Sequence, residues 1–570
     1  MKNNININSQ GKDEVTYDAI VIGSGMSGGW AAKELCEKGL KTLVLERGRN
    51  LEHIKDYPTA NMEQWDFEHR LALDPKIREE NPVLSSCYAW DKSTDHLFVK
   101  DDVHPYIQKK YFSWVKGYQV GGKSLMWARM VQRWSDLDFE ANAKDGYGVD
   151  WPIRYKDIAP WYSYVEKFVG VSGNRDGIPQ LPDGEFVEPF KMNCLEEHFK
   201  KTLNERYEGR YAIISRQANT TKRIGNRGPC MSRLRCRRGC PLGGYFSSNS
   251  ATIPAAIATG NMTLRPDSVV HSIIYDEEKG KAVGVRVIDS ETKETFEYFS
   301  KIIFVNASTI NSTLVLLNST SNRFPNGLGN DSDQLGRNLM DHNYNAGIYG
   351  SHDGFEDNYY SGKKPAGTYI PRFRNYGNDK QDAFVRGYSY SFFGNRGVGQ
   401  INQSEKPFGE EFKNSMFELG GWSGGMRGMG ECLPYEDNRV TLNKDKKDQW
   451  GMPLVEIDCE FKENEMKMLD DIVEQGSEML EAAGFKNIGH NIRENGEGLG
   501  IHEMGTARMG RDPKTSVLNG NNQIHGVENV FVTDGSCMTS SACQNPSITY
   551  MALTARAADY AVDELKKGNL

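Results

Sequence analysis

Residues Thr16 to Gly48 read TYDAIVIGSGMSGGWAAKELCEKGLKTLVLERG. An apolar run, Ala19-Ile20-Val21-Ile22, breaks into Gly23-Ser24-Gly25-Met26-Ser27-Gly28, passes through helix formers and ends in a second apolar run, Thr42 to Leu45, closed by Glu46. The order is strand, turn, helix, strand, acid. In such a unit Gly23 permits the tight turn, Gly25 lets a pyrophosphate approach the backbone, and Gly28 lets the helix lie close on the strand. The helix N-terminus then offers unpaired N–H groups and partial positive charge to the phosphates. Glu46 follows Gly28 by about 20 residues, where a carboxylate can accept hydrogen bonds from a ribose and disfavours a 2′-phosphate. The stretch predicts a Rossmann-like α/β domain that takes FAD or NAD in preference to NADP.

The rest of the composition bounds the reading. A chain of 570 residues suggests two or more domains, and its net charge of −8 argues against a nucleic-acid partner, which needs a basic surface. No apolar run reaches the length of a membrane span. The polar start, MKNNININSQGKDEVTYD, carries no secretory signal of its own, so the expected location is the cytoplasm, or the periplasm if the chain leaves folded with a signal-bearing partner. Ten cysteines in so long a chain do not make a disulfide scaffold.

Further along, Val120-Gly121-Gly122-Lys123-Ser124 places two glycines after a short apolar stretch, a turn able to bring backbone N–H groups against a flat or anionic ligand. Residues 262–265, 268–275, 282–288 and 301–306 read as strands, the middle ones as a meander. Alternation in Thr368 to Phe373 and Tyr388 to Phe393 suggests an antiparallel sheet of a second domain. Residues 464–483 read as a helix with Met466, Leu469, Ile472, Val473, Leu480 and Ala483 on one face, ended by Gly484. Val527 to Val532 is a buried-type strand leading to Asp534-Gly535, where an acid can reach a second polar part of the same dinucleotide. The last helix runs from Pro546 to Leu565 with Ile548, Ala552, Ala555, Ala558 and Val562 on its packing side.

His502 sits in Gly500-Ile501-His502-Glu503-Met504-Gly505-Thr506, a loop too glycine-rich to be core helix. It reads either as a histidine satisfied in a turn or as a general base for a hydroxyl proton. Asn545 reads either as the N-cap of the last helix or as a group that holds a substrate oxygen.

The fingerprint near the N-terminus, Val120 to Ser124, Gly336-Arg337-Asn338-Leu339-Met340-Asp341-His342, Asn438 to Leu442, His502 to Thr506, and Asp534 through Asn545-Pro546-Ser547 resemble, in order, the motif series of the glucose-methanol-choline (GMC) flavoprotein oxidoreductases. Within that family the pattern is most similar to bacterial gluconate, fructose and glucoside 3-dehydrogenases, and more distantly to pyranose oxidases. The resemblance implies FAD, oxidation of an alcohol to a carbonyl, and His502 with Asn545 as the catalytic pair, the variant of sugar-acting members. The cofactor contacts it implies are Gly23, Gly25, Gly28, Glu46, Gly121, Gly122, Ser124, Val270, Asp534, Gly535, Asn545 and Ser547. Pyranose oxidase-like relatives carry a histidine linked covalently to FAD two residues after the serine of the Gly-Gly turn. Met126 stands there, so the FAD is expected to be non-covalent.

Cys230, Cys236 and Cys240 form C-x5-C-x3-C-P among Arg233, Arg235, Arg237 and Arg238. Three thiols suit a [3Fe-4S] cluster, similar spacing occurs in the cluster-bearing sugar dehydrogenases, and the arginines would lower thiolate pKa. The competing reading is structural, the thiols packing as small apolar groups.

The expected architecture is a discontinuous Rossmann-like FAD-binding domain with an inserted α+β substrate domain built on an antiparallel sheet. A polar tail (1–16) precedes FAD-domain parts 17–150, 211–344 with the cysteine loop 230–241, and 495–570. Residues 151–210 form a helical substrate-side segment and 345–494 the substrate domain. The expected activity is oxidation of a sugar or glycoside secondary hydroxyl to a ketone, glucoside 3-dehydrogenase-like, with electrons passing to a cytochrome or quinone-linked acceptor, and a small signal-bearing subunit as partner. The alternatives are an oxidase making hydrogen peroxide and a non-catalytic flavin-binding subunit.

Overall fold

In the computed structural model the opening strand, Thr16–Ile22, runs parallel to Thr42–Leu45 on one side and to Thr295–Val305 on the other. Residues 16–359, 364–365, 367–398 and 408–570 are described, so nearly all of the expected polar tail lies outside them. Met262–Arg265 extends the parallel sheet beyond Thr42–Leu45, and Val527–Val532 extends it beyond Thr295–Val305. Ser268–Asp276 and Lys281–Asp289 form the expected meander with Thr295–Val305, which makes an eight-stranded sheet with Gln523–Ile524 at its edge. Register decides where a ligand can sit: Ile22 lies opposite both Leu45 and Val305, and Val305 lies opposite Val532. Gly23, Glu46, Asn306 and the Asp534 turn therefore leave the sheet at one carboxyl edge, where open α/β sheets bind their ligands.

Both faces of these strands are covered, which explains their near-continuous apolar sequence. Ala19 and Val21 pack with Ala31, Ala32 and Leu35 of the helix Met26–Glu37 and with Ala557, Ala558 and Ala561 of the final helix. On that face Phe304 stacks on Phe531 at 4.9 Å and 9°. Ile20, Ile22, Leu43 and Ile303 turn the other way, toward Val285 and Val287 of the meander. The final helix spans Ser547–Lys567, and all five residues expected on its packing side are buried.

A second sheet of six antiparallel-paired strands is built from Lys486–Ile492, Ala346–His352, Leu419–Gly430, Tyr388–Val398, Thr368–Ile370 and Ile213–Ile214. The strand expected over Thr368 to Phe373 stops at Ile370 because Pro371 brings no N–H to a ladder. Leu419–Gly430, LGGWSGGMRGMG, carries no apolar alternation yet is a central strand. A Cβ on Gly424 would meet Phe485 at 2.5 Å, and one on Gly428 would meet Ile472 at 2.3 Å, so neighbouring side chains fill the space above bare backbone.

The helix Glu463–Ala482 lies on this sheet with Met468, Leu469, Ile472, Met479 and Leu480 buried. Met466, expected on that face, is 50% exposed. The inward position of that turn is taken by Glu465, whose carboxylate accepts the N–H groups of Leu433 (3.0 Å) and Lys462 (3.0 Å). Among the described residues no helix is long and apolar enough to cross a membrane.

Candidate active site

Gly23 turns the chain out of the first strand at φ 95°, and its Cβ would fall 2.4 Å from the Asn306 carbonyl oxygen. At Gly28 a Cβ would fall 2.0 Å from the Gly23 carbonyl oxygen, so this glycine brings helix and turn together. Gly25 differs from both: nothing lies within 4 Å of its Cβ position. That space belongs to a cavity of about 280 Å³. The Gly-Gly turn packs onto the fingerprint, Gly121 N–H donating to Ser24 Oγ (2.9 Å), while a Cβ on Gly122 would lie 3.3 Å from Gly25 Cα.

Of the expected cofactor residues, Gly23, Gly25, Glu46, Gly122, Ser124, Val270, Asp534, Gly535, Asn545 and Ser547 line this one cavity. Gly28 and Gly121 do not; they serve the backbone, Gly121 leaving room for the Asn249 side chain. Met126 lines the cavity as well. Glu46 is buried and accepts from Ser24 N (3.1 Å), Ser24 Oγ (2.5 Å) and Gly48 N (3.0 Å). Burial raises its pKa, opposed by those donors. Asp534 is held similarly by Ser312 Oγ (2.5 Å) and Ser536 N (3.0 Å). The Asn306 and Asn545 side-chain oxygens and the Tyr550 hydroxyl line the same cavity, buried without protein partners. A large polar occupant would satisfy them.

His502 and Asn545 come together across 43 residues of chain, with Asn545 Nδ2 at 3.3 Å from His502 Nε2. Asn545 makes no helix cap: Pro546 takes that position and no side-chain cap bond forms. Two residues not singled out for a role from the sequence complete the geometry. The Asp341 carboxylate accepts the N–H groups of Gly500 (2.9 Å) and His502 (2.9 Å), which holds the glycine-rich loop in place. Burial, then Glu503, raises the Asp341 pKa to about 7. His342 Nδ1 stands 2.8 Å from His502 Nδ1, and His342 Nε2 stands 2.9 Å from the Ala542 carbonyl oxygen.

This chain of contacts determines the tautomers. A carbonyl oxygen only accepts, so the His342 proton is on Nε2 and its Nδ1 is an acceptor. His502 must then carry its proton on Nδ1, which leaves Nε2 bare toward the cavity and facing a donor amide. Burial lowers the His342 pKa to about 4, and burial with His342 and Lys123 nearby pushes His502 well below 6.5. Both imidazoles are thus neutral near pH 7. Lys123 is itself held by Glu503 at 3.2 Å.

The cysteine loop departs from the cluster expectation. Among the described residues no group of three or more His, Cys, Asp or Glu side chains stands in metal-holding geometry. Arg233 bonds to the Ala60 carbonyl, Arg235 pairs with Glu63, and Arg238 donates to the Met62 carbonyl (3.1 Å), so three of the arginines tie the loop to the 57–67 segment. Burial raises the Cys230 thiol pKa, the opposite of the expected thiolate stabilisation. Its Sγ accepts from Ser232 N (3.4 Å), and Cys240 Sγ from Gly244 N (3.3 Å). The loop supports the structural reading.

A dinucleotide cradle sharing its cavity with an unprotonated imidazole nitrogen can remove a proton from a substrate beside a redox cofactor, the chemistry of a dinucleotide-dependent oxidoreductase. Two family models described as GMC oxidoreductase match the chain, an N-terminal one over residues 17–344 and a C-terminal one over 434–554, and the chain belongs to this FAD-binding family. It is 29% identical over 567 residues to the 2-methyl-1,2-propanediol dehydrogenase of Mycolicibacterium austroafricanum (95% of this chain, 94% of that one). It is 25% identical over 581 residues to the fructose dehydrogenase large subunit of Gluconobacter japonicus (98% and 99%). To the paromamine 6′-oxidase of Streptomyces fradiae it is 26% identical over 569 residues (97% and 92%).

Proposed function

We propose that the protein oxidises a secondary hydroxyl of a sugar or glycoside to a ketone, with His502 as the base. The observation that carries this is the bare Nε2 of His502, fixed by His342 and faced by the Asn545 amide in the cavity that holds the dinucleotide cradle. The residues that would hold FAD are the glycine turn at Gly23 and Gly25, Glu46, the Gly122 to Ser124 turn, and Asp534 with Gly535. When bound there, FAD supplies a two-electron acceptor for the hydride of the substrate carbon. Met126, where linked relatives have a histidine, makes that binding non-covalent.

The chain's own residues do the rest. His502 Nε2 takes the hydroxyl proton, and the Asn545 Nδ2–H bonds to the alkoxide oxygen as charge grows on it. The new imidazolium keeps its Nδ1–H bond to His342 Nδ1, while the His342 proton stays on Nε2, donated to the Ala542 carbonyl. Proton transfer and orientation of this kind contribute several powers of ten.

We place the protein among dehydrogenases that pass electrons to a separate protein or quinone-linked acceptor, and a relative named as a large subunit supports a partner subunit. A relative named as an oxidase keeps direct oxygen use as the second reading. Anaerobic mixing with a panel of sugars and glycosides is expected to bleach the flavin, and His502→Ala to slow that bleaching by about a hundredfold or more with FAD retained. Normal bleaching in the variant would refute the base assignment. Peroxide formed in step with turnover in air would select the oxidase.

A further inference from the structure

The cavity has a charge imbalance that the cofactor cradle does not use. Its acids are occupied: Glu46 and Asp534 by hydroxyl and N–H donors, Glu503 by Lys123. Two of its cations have no carboxylate partner among the described residues. Arg129 is only 8% exposed, donates Nη1 to the Trp127 carbonyl, and leaves Nε buried with no partner. Its backbone is held at φ 67°, a left-handed conformation that a long side chain rarely adopts. Arg237 also lines the cavity; it is exposed, lies over the Tyr88 ring at 5.3 Å and donates Nη1 to the Tyr88 carbonyl (3.5 Å).

Two more guanidinium groups stand close by. Arg427 lies over the ring of Tyr344, a cavity residue, at 5.0 Å, the Arg493 backbone N–H donates to the carbonyl of the adjacent Asn345 (3.1 Å), and both Arg427 and Arg493 have a buried Nη1 with no partner. No carboxylate among the described residues forms an ion pair with any of the four. The cluster belongs to the end of the cavity covered by the antiparallel sheet. Met130, next to Arg129, is contacted by Ser391 of that sheet (3.9 Å), and Arg427 shares a strand and, by alternation, a face with the cavity residue Met429. Burying guanidinium N–H groups without partners, as at Arg129, Arg427 and Arg493, is costly, and a chain of net charge −8 has no shortage of acids to place beside them.

We infer that this end of the cavity is an oxyanion subsite built on Arg129, and that the substrate is a polyhydroxy compound carrying a carboxylate or phosphate, a sugar acid or sugar phosphate. The inference rests on the proposal that the cavity oxidises a hydroxyl, and it narrows which hydroxyl compounds enter. Arginine suits the task because its planar fork meets an oxyanion with two parallel hydrogen bonds.

The test uses the purified holoenzyme under nitrogen, with D-gluconate, D-glucuronate, glucose 6-phosphate and neutral D-glucose. Two signals are followed: flavin bleaching, and the shift of the flavin visible spectrum on binding. At least one charged compound is expected to exceed glucose in kcat/KM by about 10- to 100-fold, with carboxylate and phosphate separating the two sources. Arg129→Gln should remove that preference through KM more than kcat, and Arg129→Lys should restore part of it. Arg237→Gln and Arg427→Gln should weaken it without unfolding the protein, which keeps the test decisive if Arg129→Gln does not fold.

Glucose bleaching as well as the acids, with Arg129→Gln slowing all alike, would overturn the subsite and leave hydroxyl oxidation standing. A saturable, Arg129-dependent shift with the anions but no bleaching by any compound would keep the subsite and overturn hydroxyl oxidation. Loss of FAD from both Arg129→Gln and Arg427→Gln would assign the cluster to the cofactor and overturn the inference.

Discussion

His342 does not itself line the cavity but, from behind His502, decides which nitrogen of that residue is basic. With leucine at 342, His502 Nδ1–H loses its acceptor at 2.8 Å, and the imidazole is free to place its proton on the nitrogen that should be bare. His342→Leu is expected to slow single-turnover flavin reduction about tenfold or more, with a smaller change in KM; an unchanged rate would contradict the tautomer argument. The pH profile carries a second expectation. Because the pKa of His502 is depressed, its neutral, active form persists as pH falls, and the acid limb of flavin reduction should lie below 6.5. A limb at or above 6.5 would count against His502 as the base. The glycine-rich company of His502 and the family motif singled out it and Asn545 in the sequence as candidates, and the fold brings the two together in the cavity. His342 was not legible as its partner, since 160 residues separate the two and only the folded loops bring them together.

At the scale of elements, the fingerprint glycines separate into two kinds that respond oppositely to a side chain. Gly25→Val projects into open cavity, so the protein is expected to fold with the wild-type apoprotein's melting temperature and to purify without flavin. Gly28→Val drives carbon into the Gly23 carbonyl, and loss of soluble protein is expected instead. Phe531→Ala removes half of the ring stack between two parallel strands, and urea unfolding should show a loss of about 3–5 kcal/mol. The parallel strands could be read because both faces are apolar. The glycine-rich Leu419–Gly430 could not, because its place in the sheet is dictated by the bulk of Phe485, Phe392 and Ile472 rather than by its own residues. Met466 failed for a related reason: a carboxylate saturated by backbone N–H groups can occupy an inward position that periodicity reserves for an apolar side chain.

On the scale of the whole molecule, retention of the cofactor is expected to depend on the fold rather than on a bond. With Met126 at the linking position, acid precipitation is expected to release yellow FAD into the supernatant, and colour kept in the pellet would contradict it. The carboxyl edge of the parallel sheet has a further consequence, for the timing of synthesis. The groups we propose to hold FAD come from residues 23–25, 46, 122–124 and 534–547, and the strand Val527–Val532 and the helix Ser547–Lys567 complete the layer against which the first helix packs. On that assignment a nascent chain has no complete site for FAD until residues 527–567 have left the ribosome. Apoprotein is then expected to exist first as an unfilled scaffold, with flavin supply controlling how much of it is stabilised by binding.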